Sequence, residues 1–513
     1  MKKFEQFGIT NPISLFLEKN KEDFTREDLL NVIESFDIER ITFHYTALDG
    51  RIKELKIPIF DRDHAELLLT EGERVDGSSL FKGIVDVGKS DLYVIPLYKT
   101  AFINPFDERS IDFMCRFLTA DGELAAYTPD SVLYNATKLF TDKTGLKLYA
   151  LGELEFFLIG DEPTKLFPNE KQKAYHQSAP FSKTTEVMTE ILTVISQVCG
   201  NVKYAHNEVG VLDNIVSELP EINGKSAEQV EIEFLLTPAE DVGDIISLAK
   251  WIIRNIAYQN GYTASFVPKI EVGHAGSGMH FHMALMKDGK NIMLNEKNEL
   301  SEDARILIGG LVTYAPTITA FGNTVAAAYL RLVPGQEAPT KVCWSESNRS
   351  AMIRVPLGWT NVNNLAQKIN PQQTEKIKQS DTRQTVEIRT PDGSAFPQFV
   401  LASLALAANW GFEHKEESLK LAEKSYAVGN INSPKYDHLE NLPTCCEESA
   451  ELLEKNKELY TKQGIFTDKI IEHFVNMLKD EKDRGLDKKL LSLEESKKLI
   501  ESRKFMHRAI HKY

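Results

Sequence analysis

A strand-like segment in the first half of the chain carries two carboxylates. Residues 148–159 read LYALGELEFFLI, so Glu153 and Glu155 lie two positions apart in an otherwise apolar run. Side chains two positions apart in a strand project from the same side, so both acids face one surface. A buried charge costs on the order of several kcal/mol unless it is compensated. We therefore expect a divalent cation beside this strand.

The same spacing recurs in other β-rich segments. The segments are HNE with His206 and Glu208, EQVEIEF with Glu231, MHFHM with His280 and His282, and VEIR with Glu387 and Arg389. An alternating polar pattern also describes the wet face of an antiparallel sheet, which is the better reading of any single pair. Together the pairs favour a metal site. Because the set is rich in carboxylate and poor in cysteine, it suits Mg²⁺ or Mn²⁺ better than structural zinc.

Composition narrows the class of protein. The chain has 513 residues, enough for two or three domains, and its 60 Lys and Arg against 75 Asp and Glu give a formal net charge of −15. This balance argues against a nucleic-acid partner. The five cysteines show no CxxC spacing, which predicts reduced thiols in a cytoplasmic protein. The first residues lack the apolar core of a signal peptide, and the apolar run 399–412 is too short to span a bilayer, so we expect a buried core helix there and no membrane partner.

The chain divides into two predicted domains. Residues 1–125 mix charged helical sequence with short strands and predict a small α+β domain. Thr128 and Pro129 are typical of a helix cap and first helical position, so we place the boundary just before them. Residues 126–513 alternate strands with helices and finish in a charged helical tail.

One phosphate-binding pattern is rejected. Residues 83–90 read GIVDVGKS and fit GxxxxGK[ST]. That motif needs a buried strand before the loop and a helix after it, so that backbone amides and a helix N-terminus hold the phosphate. The preceding DGSSLFK is not strand-like, and the following DLYVIPL is strand-like. We therefore expect no phosphate loop here.

A cluster of arginines is more informative. Arg331, Arg349 and Arg354 lie with Glu337 in the turn-rich segments YLRLVPGQEAP and NRSAMIRVPLG. Guanidinium groups bind carboxylates and phosphates through paired hydrogen bonds. Surface ion pairs would explain any one of these arginines. Three of them beside a polycarboxylate metal site indicate phosphoryl transfer, in which positioning and charge neutralisation do most of the catalytic work.

These segments together resemble the glutamine synthetase family. DGSS at 76–79, GELEFF, HNEV, GSGMHFH, RLVPGQEAP, NRSAMIRVP and VEIRTPDGSA occur in that family's order. The resemblance implies an α+β fold, with a small β-grasp-like N-terminal domain and a large catalytic domain whose curved antiparallel sheet forms a funnel. It also implies a homododecamer of two hexameric rings, with each active site shared between neighbouring subunits.

The resemblance also implies a role for each matching residue. Two or more Mg²⁺ or Mn²⁺ ions would be held by Glu155, Glu208 and Glu231 on one side and by Glu153, His280 and Glu387 on the other. His282, Arg349 and Arg354 would face the ATP phosphates. Glutamate would be bound by Arg331, Arg389 and the backbone at Gly276, and ammonium by Asp76 from the adjacent subunit, with Ser79 and Tyr175. Glu337 would sit on a flap that excludes water.

The implied reaction is ATP-dependent formation of glutamine from glutamate and ammonia through γ-glutamyl phosphate. The segment between Glu208 and Glu231 is longer than the family's usual spacing, which leaves Glu228 and Glu233 as alternative metal ligands. Ala275 replaces a usual asparagine, and Ser347 and Thr385 replace arginines. Two alternatives remain: a γ-glutamyl ligase that uses a polyamine or methylamine, and a non-catalytic family member. Asp76 and Ser79 in DGSS favour ammonia, because a larger amine would need a different pocket.

Overall fold

The computed structural model describes residues 4, 6–85, 88, 90–161, 164, 166–333, 338–359, 362, 364–376 and 382–512. The strands are β1 Arg40–Thr46, β2 Ile52–Pro58, β3 Glu73–Asp76, β4 Asp91–Pro96, β5 Phe102–Ile103, β6 Ser110–Leu118, β7 Lys147–Gly160, β8 Val202–Leu212, β9 Ser226–Phe234, β10 Thr237–Pro238, β11 Thr263–Ser265, β12 Met279–Lys287, β13 Lys290–Asn291, β14 Trp344–Glu346, β15 Ile353–Val355 and β16 Val386–Ile388.

The helices of the first half are α1 Pro12–Leu17, α2 Arg26–Ser35, α3 Arg62–Glu71, α4 Gly77–Leu80, α5 Pro129–Thr144, α6 Thr185–Cys199 and α7 Ala239–Gln259. Those of the second half are α8 Glu302–Gly322, α9 Ala326–Arg331, α10 Ala366–Ile369, α11 Pro397–Glu413, α12 Lys415–Lys424, α13 Cys446–Lys455, α14 Glu458–Thr461, α15 Asp468–Lys479, α16 Leu486–Leu491 and α17 Glu495–His507. Short 3-10 helices cover Lys21–Asp23, Tyr98–Thr100 and Pro434–Tyr436.

The first sheet is small and mixed. Its strand order is β2-β1-β6-β4-β3, with β5 also paired to β6. β1 and β6 run parallel, and the other pairs in this sheet are antiparallel. The rejected phosphate-loop segment 83–90, of which 86, 87 and 89 lie outside the described residues, follows the short helix α4 and precedes the strand β4. This is the reverse of the strand-then-helix order that a phosphate loop needs.

The second sheet is larger and is built around the long strand β7. Its order is β14-β15-β16-β12-β7-β9-β8, with β10 and β11 also on β7 and β13 on β12. The β14–β15 pair is parallel and the other pairs in this sheet are antiparallel. The mixture of separate helices with a mainly antiparallel sheet agrees with the predicted α+β class.

Local sequence explains where the helices begin and end. α5 begins with Pro129 at its first position, as predicted, because the fixed φ of proline suits a helix start and its missing N–H is not needed there. The Thr128 side chain does not cap this helix but donates to the Ala125 carbonyl. The helix ends at Thr144 and is followed by Gly145, whose φ of 71° lies in the left-handed region that glycine adopts without strain.

Two long apolar helices form much of the core. α11 covers the run 399–412, is buried along almost its whole length and packs against α5 and α8, so the predicted core helix is confirmed. α8 is long and apolar enough to cross a membrane by length and composition, but 83% of its most apolar window is buried inside the protein. All five cysteines are buried and free of disulfide bonds.

Candidate functional site

The register of the large sheet aligns polar side chains across its strands. Glu153 on β7 lies opposite His280 on β12 and Glu233 on β9. Further registered partners complete the row: Glu155 opposite Glu231, Glu231 opposite His206, His282 opposite Glu387, and Glu387 opposite Arg354. Because residues opposite one another project to the same side, these partners share one face of the sheet. The predicted shared face of Glu153 and Glu155 is therefore confirmed.

The first cluster of this face joins two carboxylates and two histidines. Glu153 Oε2 accepts from His280 Nδ1 at 2.9 Å, and Glu153 Oε1 accepts from His282 Nε2 at 2.9 Å. Glu387 is fully buried, with its carboxylate 3.7 Å from His280 Nδ1 and 3.9 Å from His282 Nε2. Ligand atoms of Glu153, His282 and Glu387 all lie within 4.8 Å of one another, which is close enough for one cation.

A second cluster lies on β8 and β9. His206 Nε2 lies 3.4 Å from Glu231 Oε2, and His206 Nδ1 lies 3.9 Å from Glu208 Oε1. Ligand atoms of these three residues also lie within 4.8 Å of one another. Glu155 lies in register with Glu231, so the predicted carboxylates Glu155, Glu208 and Glu231 meet here together with His206, which the sequence assignment left without a role.

The alternative ligands Glu228 and Glu233 have other partners. Glu228 points to the opposite face of β9, where its carboxylate accepts from the backbone N–H groups of Lys183 and Thr184 at 2.9 and 3.2 Å. It thereby satisfies amides at the start of α6, where intrahelical acceptors are missing. Glu233 accepts from Lys203 Nζ at 2.6 Å. Glu231 is therefore the acid of this strand that joins the cluster.

The electrostatics of the clusters reflect crowded buried carboxylates. Burial, together with the charge of Glu208, raises the pKa of Glu155 to about 7, and burial with the charges of Glu153 and Glu155 raises the pKa of Glu231 well above its ordinary value. Burial alone would raise the pKa of Glu153 as well, but the charge of His282 and hydrogen bonds from His280 and His282 hold it well below its usual range. The side chains around Glu155 and Glu231 therefore do not fully compensate the negative charge of these carboxylates.

The histidines differ in charge state. Burial and the Arg389 charge lower the pKa of His280 to about 4, so its imidazole is neutral at pH 7. Arg331 donates to its Nε2 at 3.2 Å, which leaves the proton on Nδ1, facing Glu153. Burial opposes ionisation of His282 too, but Glu153 and Glu387 raise its pKa. His282 Nδ1 lies 2.9 Å from the Thr385 hydroxyl, which orients the ring.

Three of the predicted arginines adjoin the first cluster. Arg354 Nη1 donates to Glu387 Oε2 at 2.7 Å, and Arg389 donates to Glu387 Oε1 and, through Nε, to the Arg349 carbonyl at 3.0 Å. Arg331 is buried and donates to the Thr390 carbonyl at 2.9 Å. Burial alone would raise the pKa of Glu387, but the charges of His282 and Arg389 lower it below its ordinary value. Glu387 therefore links the metal-ligand candidates to the arginines.

A single cavity of about 1250 Å³ contains most of the predicted site. Its lining includes Glu153, Glu155, Tyr175, Glu208, Glu231, Gly276, His280, His282, Arg331, Arg349, Arg354 and Arg389. Glu387 lies immediately behind, bonded to Arg354 and Arg389. Apolar side chains of Leu235, Leu236, Met286, Leu357 and Trp359 complete the wall. The cavity thus combines carboxylates, guanidinium groups and an apolar surface.

Asp76 and Ser79 are predicted site residues that lie away from this cavity. Asp76 is exposed at the end of β3, where it accepts from the Ser78 backbone N–H at 2.8 Å and from the Ser79 hydroxyl at 2.8 Å. The Ser78 hydroxyl also donates to Asp76, and this bond, with those from the Ser79 hydroxyl and the Ser78 backbone, lowers the pKa of Asp76 to about 2, so it is ionised at pH 7. Among the described residues, neither Asp76 nor Ser79 belongs to the cavity lining. Glu337 lies outside the described residues.

The donor set fits Mg²⁺ or Mn²⁺. Carboxylate oxygens dominate both clusters, imidazole is the other donor, and each cysteine is buried elsewhere. Hard oxygen ligands suit these cations. The raised pKa values of Glu155 and Glu231 are a second sign, because a cation would remove the mutual repulsion that holds their protons.

Two residues in contact with the site lacked a role in the sequence analysis. His206 was part of the sequence pattern that favours a metal site, through its spacing of two from Glu208, but it was not assigned as a ligand. Gln229 is buried and donates to Glu155 Oε2 at 3.0 Å and to the Gly276 carbonyl at 3.1 Å. Its position two residues before Glu231, on the same face of β9, was the available signal.

Comparison with known families and relatives covers both parts of the chain. Residues 126–489 match the family described as the glutamine synthetase catalytic domain, and residues 37–120 match that described as the glutamine synthetase beta-Grasp domain. The glutamine synthetase of Pasteurella multocida is 28% identical over 494 residues, covering 89% of this chain and 95% of that protein. That of Thermus thermophilus is 28% identical over 463 residues, covering 88% and 94%.

Solved structures show the same fold. The cryoEM structure of Plasmodium falciparum glutamine synthetase has a TM-score of 0.71 at 21% identity, covering 90% of this chain and 97% of that chain. A GmaS complex with ADP has a TM-score of 0.69 at 19% identity, covering 91% and 98%. These likenesses confirm the predicted fold, a β-grasp sheet followed by an α+β part with a curled sheet.

Proposed function

Since this chain belongs to the glutamine synthetase family, we propose that it ligates ammonia to the γ-carboxylate of L-glutamate, consuming ATP and forming L-glutamine, ADP and phosphate. The observation that carries this proposal is the single cavity in which paired carboxylate–histidine clusters adjoin Arg331, Arg349, Arg354 and Arg389. Phosphoryl transfer to a carboxylate brings two anions together, and such an array of cations is what that step needs.

We assign the metal ligands to the two clusters. Glu155, Glu208 and Glu231, with His206 beside them, would hold one Mg²⁺ or Mn²⁺ ion, and Glu153, His280 and Glu387 would hold another. Bound ions of this kind neutralise phosphate charge and polarise the transferred phosphoryl group. Gln229 donates to the Glu155 carboxylate and fixes its direction. His280 is neutral at pH 7, and binding of a cation beside Glu153 would require the proton to leave Nδ1, the nitrogen that faces this carboxylate.

We assign the substrates to the arginines and the loops. Arg331 and Arg389, with the backbone at Gly276, would bind glutamate, while His282 and Arg354 would face the ATP phosphates. The γ-carboxylate attacks the terminal phosphorus of ATP and ADP leaves, which gives γ-glutamyl phosphate. Arg349 would neutralise the phosphoryl group during this transfer. The guanidinium groups of Arg331 and Arg354 are already held by the Thr390 carbonyl and by Glu387, so these two charges need little reorganisation.

We assign the amine step to Asp76, Ser79 and Tyr175. Asp76, ionised and exposed, would enter the cavity of an adjacent subunit and take a proton from ammonium, and the amine nitrogen would then displace phosphate from the acyl carbon. Glu337 would lie on a flap that excludes water, which would otherwise hydrolyse the acyl phosphate. The exposed position of Asp76, outside its own cavity, supports a shared site and hence a ring-shaped homo-oligomer, which we propose is a dodecamer of two hexamers.

Two further assignments complete the proposal. We place the division between the β-grasp and catalytic domains at 125/126, with the helical tail to residue 513 in the second. We also propose a cytoplasmic enzyme, because its substrates are metabolites of that compartment and its cysteines are free.

The test is phosphate release from ATP with glutamate while the amine is varied among ammonium, methylamine and putrescine. We expect ammonium to give the highest kcat/KM and mass spectrometry to identify glutamine. A preference for methylamine or putrescine would replace this function with that of another γ-glutamyl ligase. Absence of glutamate-dependent phosphate release with every amine would identify a non-catalytic family member.

A further inference from the structure

The loop 269–276 forms one wall of the cavity. Gly273, His274, Ala275 and Gly276 all line it. A Cβ atom at Gly276 would lie 2.6 Å from the Pro268 carbonyl oxygen and 2.8 Å from Arg331 Cγ, so backbone and guanidinium stem are in close contact there. Small displacements of this loop therefore change the distance between the Gly276 backbone and the Arg331 side chain.

The C-terminal helix α17 contacts the base of that loop through an ion pair. Arg503 donates to Glu271 Oε2 from Nη2 at 2.7 Å and from Nε at 2.9 Å. The other carboxylate oxygen of Glu271 accepts from the Val272 backbone N–H at 2.9 Å. Because Glu271 is only 7% exposed, this charge is poorly hydrated without Arg503. The pair thus joins α17 to the loop backbone.

A histidine of the same helix forms a second connection. His507 is buried, and its Nε2 lies 3.0 Å from the Ile270 carbonyl oxygen. Because a carbonyl oxygen only accepts hydrogen bonds, Nε2 must carry the proton and donate it. Its Nδ1 lies 2.9 Å from the Ser217 hydroxyl, whose oxygen also accepts from the Leu219 backbone N–H. The Ser217 hydroxyl therefore donates to Nδ1. This bond stabilises the tautomer protonated on Nε2, which donates to the Ile270 carbonyl.

Ser217 belongs to the long segment between Glu208 and Glu231. The two parts of the chain for which the sequence suggested no role, this segment and the helical tail, therefore meet at His507. Met506, Ala509 and Ile510 anchor the end of the tail in the main hydrophobic core. An anchored helix with an ion pair and a buried hydrogen bond to one loop is suited to hold that loop in place.

We propose that α17 is a positioning element for the glutamate subsite, in which Arg503 and His507 fix the loop 269–276 so that the Gly276 backbone faces Arg331. This inference rests on the proposed function for its substrate, but the contact between helix and loop does not.

The test compares Arg503→Met, which keeps the apolar stem, with Arg503→Lys, which restores a cation. Lys504→Met is the matched control, because Lys504 pairs with Glu501 on its own helix and is exposed. We expect Arg503→Met to raise the KM for glutamate by about fivefold to twentyfold, with kcat and the KM for ATP within about twofold, and we expect Arg503→Lys to recover most of the loss. Lys504→Met should leave all three constants unchanged.

Hydrogen exchange of the loop provides a measurement independent of turnover. Amides of 270–276 should exchange at least about fivefold faster in Arg503→Met and also in Glu271→Gln, and at the wild-type rate in Lys504→Met. Unchanged exchange with an unchanged KM for glutamate would overturn the proposal, as would equal increases in the KM values for glutamate and ATP. If the wild-type protein forms no γ-glutamyl product, the proposed function fails, while loop exchange still decides whether α17 holds the loop.

Discussion

Metal binding to this protein should release protons, because Glu155 is partly protonated at neutral pH. The pKa of Glu155 is raised to about 7 by burial and by the charge of Glu208. A carboxylate must be ionised to bind a cation, so at pH 7 about half a proton leaves Glu155 for each ion bound. Glu231, whose pKa is also raised, adds to this release.

The same pKa fixes how affinity changes with pH. Between pH 8 and pH 6 the ionised fraction of a group with a pKa of about 7 falls from about nine-tenths to about one-tenth. We therefore expect the affinity for Mn²⁺ to weaken by about tenfold through Glu155 alone, and by more through Glu231. Without metal, the raised pKa means that stabilisation by protonated Glu155 is complete below its ordinary value of 4.5 and is lost as the pH rises through about 7.

Isothermal titration calorimetry with Mn²⁺, in buffers of different ionisation enthalpy, measures the proton count directly. The variant Glu155→Gln should lower the number of protons released at pH 7 by about half a proton per ion. It should also bind Mn²⁺ more weakly, because a carboxylate ligand is lost. Glu454→Gln is the control, since Glu454 is exposed and paired with Lys479 on the surface. A proton count near zero at pH 7, together with an affinity that does not change from pH 6 to pH 8, would refute the charge distribution described for this site.

Three further predictions concern residues outside the two clusters. Glu337→Ala should keep ADP binding within about twofold but lower glutamine formation by at least about tenfold, and normal turnover would remove the proposed flap from the mechanism. Asp76→Asn should raise the KM for ammonium by about tenfold in the phosphate-release assay, whereas an unchanged KM would contradict its assignment as the proton acceptor. Glu228→Gln should lower the free energy of unfolding in urea by about 1–3 kcal/mol, because the backbone N–H groups of Lys183 and Thr184 lose a charged acceptor, and unaltered unfolding would count against this account.

The sequence was sufficient to predict which face of the large sheet carries the candidate metal ligands. Alternation places Glu153 and Glu155 on one side of β7, and each strand that brings a further ligand candidate repeats the same spacing. It also contained part of the answer to the choice among the acids of β9, because strand parity excludes Glu228. Glu228 shares parity with Val230 and Ile232, whose side chains are buried in the core, so Glu228 had to lie on the opposite side from Glu231.

Other features depended on contacts between distant segments. The neutral state of His280 follows from burial and from Arg389, which is more than one hundred positions further along the chain and is adjacent only through the pairing of β12 with β16. The contact of α17 with the loop at Glu271 is likewise set by tertiary packing, since nothing in the charged helical pattern of the tail indicates its partner. Spacing within one segment carries no information about such pairs.

The cross-strand register of the site limits how such a chain can change over evolution. His282, Glu387 and Arg354 stand directly opposite one another on three adjacent strands. Deleting one residue from β16 would replace Glu387 by an apolar neighbour and turn the acid to the other side of the sheet. A residue gained or lost inside one of these strands therefore displaces a side chain of the site, whereas a change of length in the connection between β8 and β9 leaves the register of His282, Glu387 and Arg354 intact. The rim of the cavity can thus change in length without disturbing the face of the sheet beneath it.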